Sequence, residues 1–123
     1  MNTLFNDFEG LINKIQVLLS RAEFESLRAN LYLHLNIVFS DLKRKNSLVV
    51  YISKTALKIY KGFSTSAGLS LIGHSAVWKK ILKGEKSLGA AFTEGSVKVP
   101  NLRVNWTKLW KFSYILSILK NLN

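Results

Sequence analysis

Hydrophobic and polar residues alternate along this chain with two different periods, and the switches between them outline a fold. Leu4, Phe8, Leu11, Ile12, Ile15, Leu18 and Leu19 recur at helical spacing, which predicts an amphipathic helix with one face on a core. Thr3 stands where an N-cap belongs, and Asp7 and Glu9 suit the positive end of the helix dipole. Beyond the polar connection Arg21 to Ser26 the period falls to two. Leu31, Leu33, Leu35, Ile37 and Phe39 share one face, while Asn30, Tyr32, His34, Asn36 and Val38 share the other, as in a strand of a sheet buried on one side. Ser40 to Asn46 is polar and basic enough for a hairpin loop, after which Leu48, Val50 and Ile52 resume the alternation. Ala56 to Lys61 and Leu69 to Ile72 complete a predicted antiparallel meander of four strands. The loop between the last two, Gly62 to Gly68, resembles a phosphate loop in composition, but it lacks the Gly-Lys-Ser/Thr ending and opens no helix.

The second half returns to helical spacing. Ser75 is a candidate cap for a helix through Lys83 whose apolar side is Val77, Trp78, Ile81 and Leu82. Gly84 to Val99 then reads as a compact unit. Ser87 caps a short helix bearing Leu88, Ala91 and Phe92 on one face, Gly95 stops it, and Val97-Lys98-Val99 alternates as a strand before a bend at Pro100-Asn101. A final helix is predicted from about Asn105 to Asn121. Its apolar residues exceed one packing face: Leu109, Phe112, Ile115, Leu116 and Leu119 share a broad arc, and Trp106, Trp110 and Tyr114 form a second stripe at i, i+4, i+8.

Composition narrows the function. With 123 residues the chain is read as a single domain, residues 1–123, and 48% aliphatic and aromatic residues leave apolar surface available for a ligand, a partner or a membrane. Residues 1–41 hold three Lys/Arg against five Asp/Glu, and residues 42–123 hold fifteen against two, so the net charge of +11 lies wholly in the later part. Such a field attracts anionic surfaces and ligands. Arginine is scarce, at four residues, and no helix-turn-helix or RNP-like run appears, which argues against nucleic acid as the partner. Asp7 and Glu9 stand where a signal peptide needs positive charge, and no apolar run approaches the roughly 18 residues of a membrane span. The expectation is a soluble cytoplasmic protein, in which the sequon Asn105-Trp106-Thr107 arises by chance.

Little catalytic chemistry is available. Cysteine is absent, which removes disulfides, thiolate metal sites and cysteine nucleophiles. His34 and His74 have no carboxylate at metal-ligand spacing, Glu23 and Glu25 sit in an exposed connection where a general acid/base pair is not expected, and no serine sits in a G-x-S-x-G elbow. The expectation is a non-enzyme without metal or cofactor.

The order of these elements and their punctuation resemble the sterol carrier protein type 2 family. That family's C-terminal half has a capped helix, a glycine, an Asp-Pro turn, an Ala-Phe pair, a Gly-Lys-Leu-Lys-Ile strand, a second glycine and a last helix. Ser75, Gly84, Ala91-Phe92, Gly95, the strand Ser96 to Val99 and Lys108-Leu109 fall in the same frame without a gap. The match covers about 50 residues. It departs from the family at Ser87-Leu88, which replaces Asp-Pro, at Asn101, which replaces the second glycine, and at Trp106 and Trp110, where slender residues are usual. The resemblance implies an α+β fold: a mostly antiparallel five-stranded sheet covered on one face by helices, in the order helix, four strands, two short helices, strand, helix. It also implies an apolar tunnel between the sheet and the last helix that accepts a sterol, fatty acyl chain or isoprenoid. Phe92, Trp106, Leu109, Trp110, Phe112, Ile115, Leu116 and Leu119 are then the ligand-facing candidates. Trp106, Trp110 and Tyr114, with Lys108 and Lys111, suit contact with an anionic membrane or a partner. The alternative keeps the fold but fills the cavity with tryptophan, leaving the stripe as a dimer or partner face on a monomer or homodimer.

Overall fold

A computed structural model describes residues 2–100 and 102–121, the side chains of residues 2 and 3 excepted. Helix α1 (Asn2–Leu19) leads through a 3-10 turn into a short α2 (Glu25–Ala29), then strands β1 (Tyr32–Phe39), β2 (Leu48–Ser53), β3 (Leu57–Lys61) and β4 (Leu69–Gly73). Helices α3 (Ser75–Leu82) and α4 (Leu88–Thr93), the two-residue β5 (Val97–Lys98) and the long α5 (Leu102–Asn121) follow. One core fills the space between one sheet face and the helices. Leu33, Leu35 and Ile37 of β1, Val50 and Ile52 of β2 and Leu71 of β4 are completely buried there, against Phe8 and Ile15 of α1, Trp78 of α3 and Ile115 of α5. This is the α+β arrangement expected, with the helices on one side. Thr3 as a cap and Asn101 as a turn residue lie outside the described side chains and residues.

The meander is corrected in one respect. The strand order is β3-β2-β1-β4-β5, so β4 pairs not with β3 but with β1, and in parallel. Only β1, β2 and β3 form the antiparallel meander. The connection 62–68 has the length of a hairpin loop, yet it passes over β2 and β1 to reach the far edge of the sheet. It can do so because the strands end and begin at similar heights: Lys61 is level with Leu48 and Ile37, and Leu69 with Leu35. Three strand spacings are about 14 Å, within the roughly 23 Å that seven extended residues reach. Asn36 holds the crossing segment down. It faces away from the core, receives the Ser64 N–H at 2.9 Å, and donates to the Ser64 carbonyl at 3.0 Å and the Ser70 hydroxyl at 3.2 Å. The other polar-face residue of interest, His34, packs edge-on against Tyr51 with ring centroids 5.7 Å apart.

Helix ends follow the punctuation closely. Ser87 accepts the Ala90 N–H at 3.0 Å and so caps α4. Gly84 and Gly95, at φ +77° and +85°, each close a Schellman motif. In the first, the Gly84 and Glu85 amides donate to the carbonyls of Ile81 and Lys80; in the second, those of Gly95 and Ser96 donate to Phe92 and Ala91. The N-terminus of α3 differs from expectation. His74 is its cap, Nδ1 accepting the Ala76 N–H at 3.0 Å, because Ser75 is already engaged. The Ser75 N–H and hydroxyl both donate to Asp41, at 2.8 and 2.6 Å, from the β1–β2 loop. These bonds from Ser75, the hydroxyl foremost, hold the Asp41 carboxyl below its ordinary range. A depressed carboxylate stabilises the fold above its unfolded pKa and loses that contribution as pH falls through the folded one. Asp41→Ala is therefore expected to cost about 1 kcal/mol at pH 7, a difference from wild type that closes in acid, as pH falls through the depressed folded pKa, in urea denaturation. An equal deficit at neutral and acid pH would remove the charge from the explanation.

Two further differences are local. Glu25–Ala29, placed within or after a polar connection, is helical, its Arg28 guanidinium donating to the Leu19 carbonyl. The last helix begins at Leu102, not near Asn105. Leu102 packs on the core and draws the first turn in, which leaves Asn105 buried inside the helix.

Candidate functional site

Helix α5 carries the candidate ligand residues on three aspects. Leu109, Phe112, Ile115 and Leu119 turn into the core and are buried. Phe92 on α4 and Leu116 on α5 are half-buried and pack against its margin. Trp106, Trp110 and Tyr114 stand on the opposite side, 46%, 49% and 57% exposed. The two indoles meet edge to face, with centroids 5.3 Å apart. The lysines expected beside this stripe are engaged elsewhere. Lys108 is half-buried and its Nζ lies within 2.8 Å of where a side chain on Gly68 would begin, over the crossing loop. Lys111 reaches the Asn30 carbonyl at 3.4 Å.

A groove of about 330 Å³ runs beside α5, between it, α4 and the end of α3. Ile81, Leu88, Leu116 and one side of Trp110 make its apolar wall. Space exists because the facing positions are small: Gly89 on α4, Ser113 and Ser117 on α5. A Cβ at Gly89 would lie 3.9 Å from the Ser113 hydroxyl, so at that crossing the two helices leave room for little more than a methyl group. A second groove, of about 180 Å³, continues past Leu116 and Lys120 toward α1 and ends among Lys14, Lys83 and Lys120. Among the described residues these three lysines form no ion pair, whereas Lys86 at the first groove is paired with Glu94 across α4. Gly89, Ser113 and Ser117 were missed at the level of sequence. Their small size was the available signal, but only the facing helix gives it meaning.

Among the described residues, the Asp41, His74 and Ser75 side chains form a constellation resembling a hydrolytic triad. Its order is wrong for that chemistry. The carboxylate lies between serine and histidine, with His74 Nε2 3.8 Å from Asp41 Oδ2, and the imidazole Nδ1 is occupied by a backbone amide. A nucleophilic serine needs the imidazole as its own base, so the cluster is a helix cap. Among the described residues no three His, Asp or Glu side chains converge as metal ligands.

No family model matches the sequence, and no curated protein does. Solved structures do. A protein described as "UbiJ-SCP2 Ubiquinone synthesis protein" superposes with a TM-score of 0.65 at 17% identity, over 92% of this chain and 88% of that one. Sterol carrier protein 2 from Yarrowia lipolytica, in its apo form, gives 0.54 at 20% identity over 90% of both chains. The fold is that of a sterol carrier protein. Part of the chain also resembles a portion of a larger protein: the inverting sec-alkylsulfatase Pisa1 from Pseudomonas sp. matches over 63% of this chain at a TM-score of 0.51 and 20% identity. The present chain spans 12% of that enzyme's length, and 16% of its S233Y F250G double mutant. Within the described residues no helix is long and apolar enough to cross a membrane.

Proposed function

We propose that this protein binds an apolar lipid, of the sterol, fatty acyl or isoprenoid class, beside α5 and carries or presents it without chemical change. The observation that carries the reading is the apolar groove along α5, whose volume of about 330 Å³ stands at the low end of small-molecule sites. The sterol-carrier fold supports it, as does the disposition of α5, which spends one aspect on the core and keeps Leu116 and Trp110 for the groove. A chain of methylene groups leaving water gains about 0.8 kcal/mol for each one buried, so a few turns of helix wall suffice for useful affinity. Leu109, Phe112, Ile115 and Leu119, buried in the core behind α5, and Phe92 at its margin serve the same ligand from behind, as the packed backing of that wall.

Purification without detergent followed by native mass spectrometry is the direct test, with a co-purifying lipid expected. Ser113→Phe places a ring in the groove without touching the core. It is expected to lower uptake of a fluorescent fatty acid by at least about tenfold, or 1.4 kcal/mol, at an unchanged melting temperature. Competition by a sterol and a polyprenol ranks the three ligand classes. A lipid-free protein that also takes up no fatty acid would overturn the reading.

A further inference from the structure

The aromatic stripe is separate from the groove wall except at Trp110, and its surroundings identify what covers it. Arg103, Trp106, Trp110 and Tyr114 follow one another at i, i+3, i+7 and i+11, directly opposite the buried line of α5. Val104 beside them is 83% exposed. The helix carries Arg103, Lys108, Lys111 and Lys120 and no carboxylate. Neither Arg103 nor Lys120 forms an ion pair among the described residues. With Lys108 turned toward the crossing loop and Lys111 toward the Asn30 carbonyl, Arg103 lies in line with the rings and Lys120 flanks them.

We propose that this outer face of α5 docks on an anionic bilayer, with Trp106, Trp110 and Tyr114 in the interface and Arg103 and Lys120 among the head groups. Indole and phenol rings are apolar bodies with one polar edge, which suits them to the boundary between acyl chains and water. Long cationic side chains beside them lay their stems along that boundary and leave the charge at the phosphates. A second copy of the chain is a poorer occupant. A two-fold contact through this face would set one uncompensated cationic helix against its equal, whereas anionic lipid neutralises the cations beside the stripe. Trp110 adds a consequence for transfer. Because one aspect of its ring lines the groove while the residue stands half-exposed in the stripe, the groove opens at the edge of the docked face. A lipid can then pass between bilayer and protein without crossing water. The docking face goes beyond the groove reading and stands even if the groove proves empty.

The test is co-sedimentation of the full chain with vesicles of phosphatidylcholine alone or with about one third phosphatidylglycerol. Binding to the anionic vesicles at low salt is expected to be at least tenfold tighter and to weaken as salt is added. Of the three tryptophans Trp78 is fully buried, so a blue shift of emission on binding reports the other two. The double variant W106A/W110A is expected to lose binding at least tenfold while keeping its circular dichroism and melting temperature. R103Q/K120Q should lose only the preference for anionic lipid. Ser113→Phe should bind vesicles as wild type does, which separates this proposal from the groove. The proposal fails if anionic vesicles are not bound at low salt, or if W106A/W110A binds them undiminished. It also fails if wild type sediments as a dimer that W106A/W110A splits, since the face then belongs to a second copy.

Discussion

Trp78→Ala is expected to lower stability by about 3–5 kcal/mol, the largest effect of any single truncation in this chain. Trp78 is fully buried on α3 and meets Phe8 of α1 edge-on, with ring centroids 5.8 Å apart. Phe8 in turn contacts Phe39 at the end of β1, at 6.1 Å. The three rings tie the first helix, the sheet and the third helix together, so the cavity left by alanine has walls on three elements that cannot collapse in concert. Gly73 closes another side: a Cβ there would lie 3.2–3.3 Å from the Ser96 carbonyl, Val97 Cγ2 and Trp78 Nε1. Its missing side chain is what lets β4, β5 and α3 converge on the indole. That indole N–H, however, is buried without a hydrogen-bond partner, which costs about 1–3 kcal/mol in the wild type. Trp78→Phe removes the orphan donor along with part of the ring, and its net cost should be no more than about 1–2 kcal/mol. Thermal unfolding checks both, with Trp78→Ala expected to lower the melting temperature by on the order of 10–20 °C. A loss under about 1 kcal/mol for alanine would show that the ring cluster is not a centre of the core.

What could be read from the sequence is what depends on neighbours along the chain. The spacing from Leu4 to Leu19 set out α1, the alternation from Leu31 to Phe39 named the buried face of β1 correctly, and Ser87 with Gly84 and Gly95 marked helix ends that the backbone hydrogen bonds repeat. The misplacements all involve partners far away in sequence. Ser75 is as good a cap as Ser87 by residue type, and only Asp41, 34 positions earlier, diverts it and leaves the task to His74. A loop the length of 62–68 is compatible with a hairpin or a crossing, and nothing within it says which strand edge is open to receive β4. The polar segment around Glu25 turned helical because Leu27 can pack on the core while Arg28 bonds to Leu19.

The site divides in the same way. Two apolar stripes on α5 were legible because a helix projects its own residues at fixed angles, and the separation into a buried line and an exposed aromatic one follows it. Which cations accompany the aromatic stripe was not legible. Lys108 is near Trp106 and Trp110 in sequence but turns toward Gly68, while Arg103 joins the stripe only because α5 starts three residues before the expected Asn105. The groove was beyond reach for a similar reason. Its opening is the product of Gly89 on one helix facing Ser113 and Ser117 on another.

Asn36→Leu is the substitution that isolates the unusual connection, and it is expected to cost about 2–4 kcal/mol although leucine is the better hydrophobe. Asn36 is 1% exposed on the sheet face away from the helices. Its three hydrogen bonds satisfy the Ser64 amide, the Ser64 carbonyl and the Ser70 hydroxyl, and leucine leaves all of these half-buried groups without that partner. Each such bond is worth about 0.5–1.5 kcal/mol net, and a buried orphan costs more than the bond returned. The chain can escape that cost by lifting 62–68 off the sheet, but the lift exposes Val49, which is fully buried beside Asn36 on the neighbouring strand. Lifting also slackens the connection on which the parallel pairing of β4 with β1 depends. The expected signature is therefore twofold: a lower urea midpoint, and new proteolytic cleavage between residues 62 and 68 under native conditions. Asn36→Asp sharpens the reading. It keeps the acceptor for Ser64 but loses both donations and buries a charge, so its deficit should exceed that of leucine at pH 7 and shrink as the medium is acidified and the carboxyl becomes a donor. If Asn36→Leu instead unfolds like wild type and resists cleavage, the crossing is secured by the loop's own reach and the side chain is incidental to it.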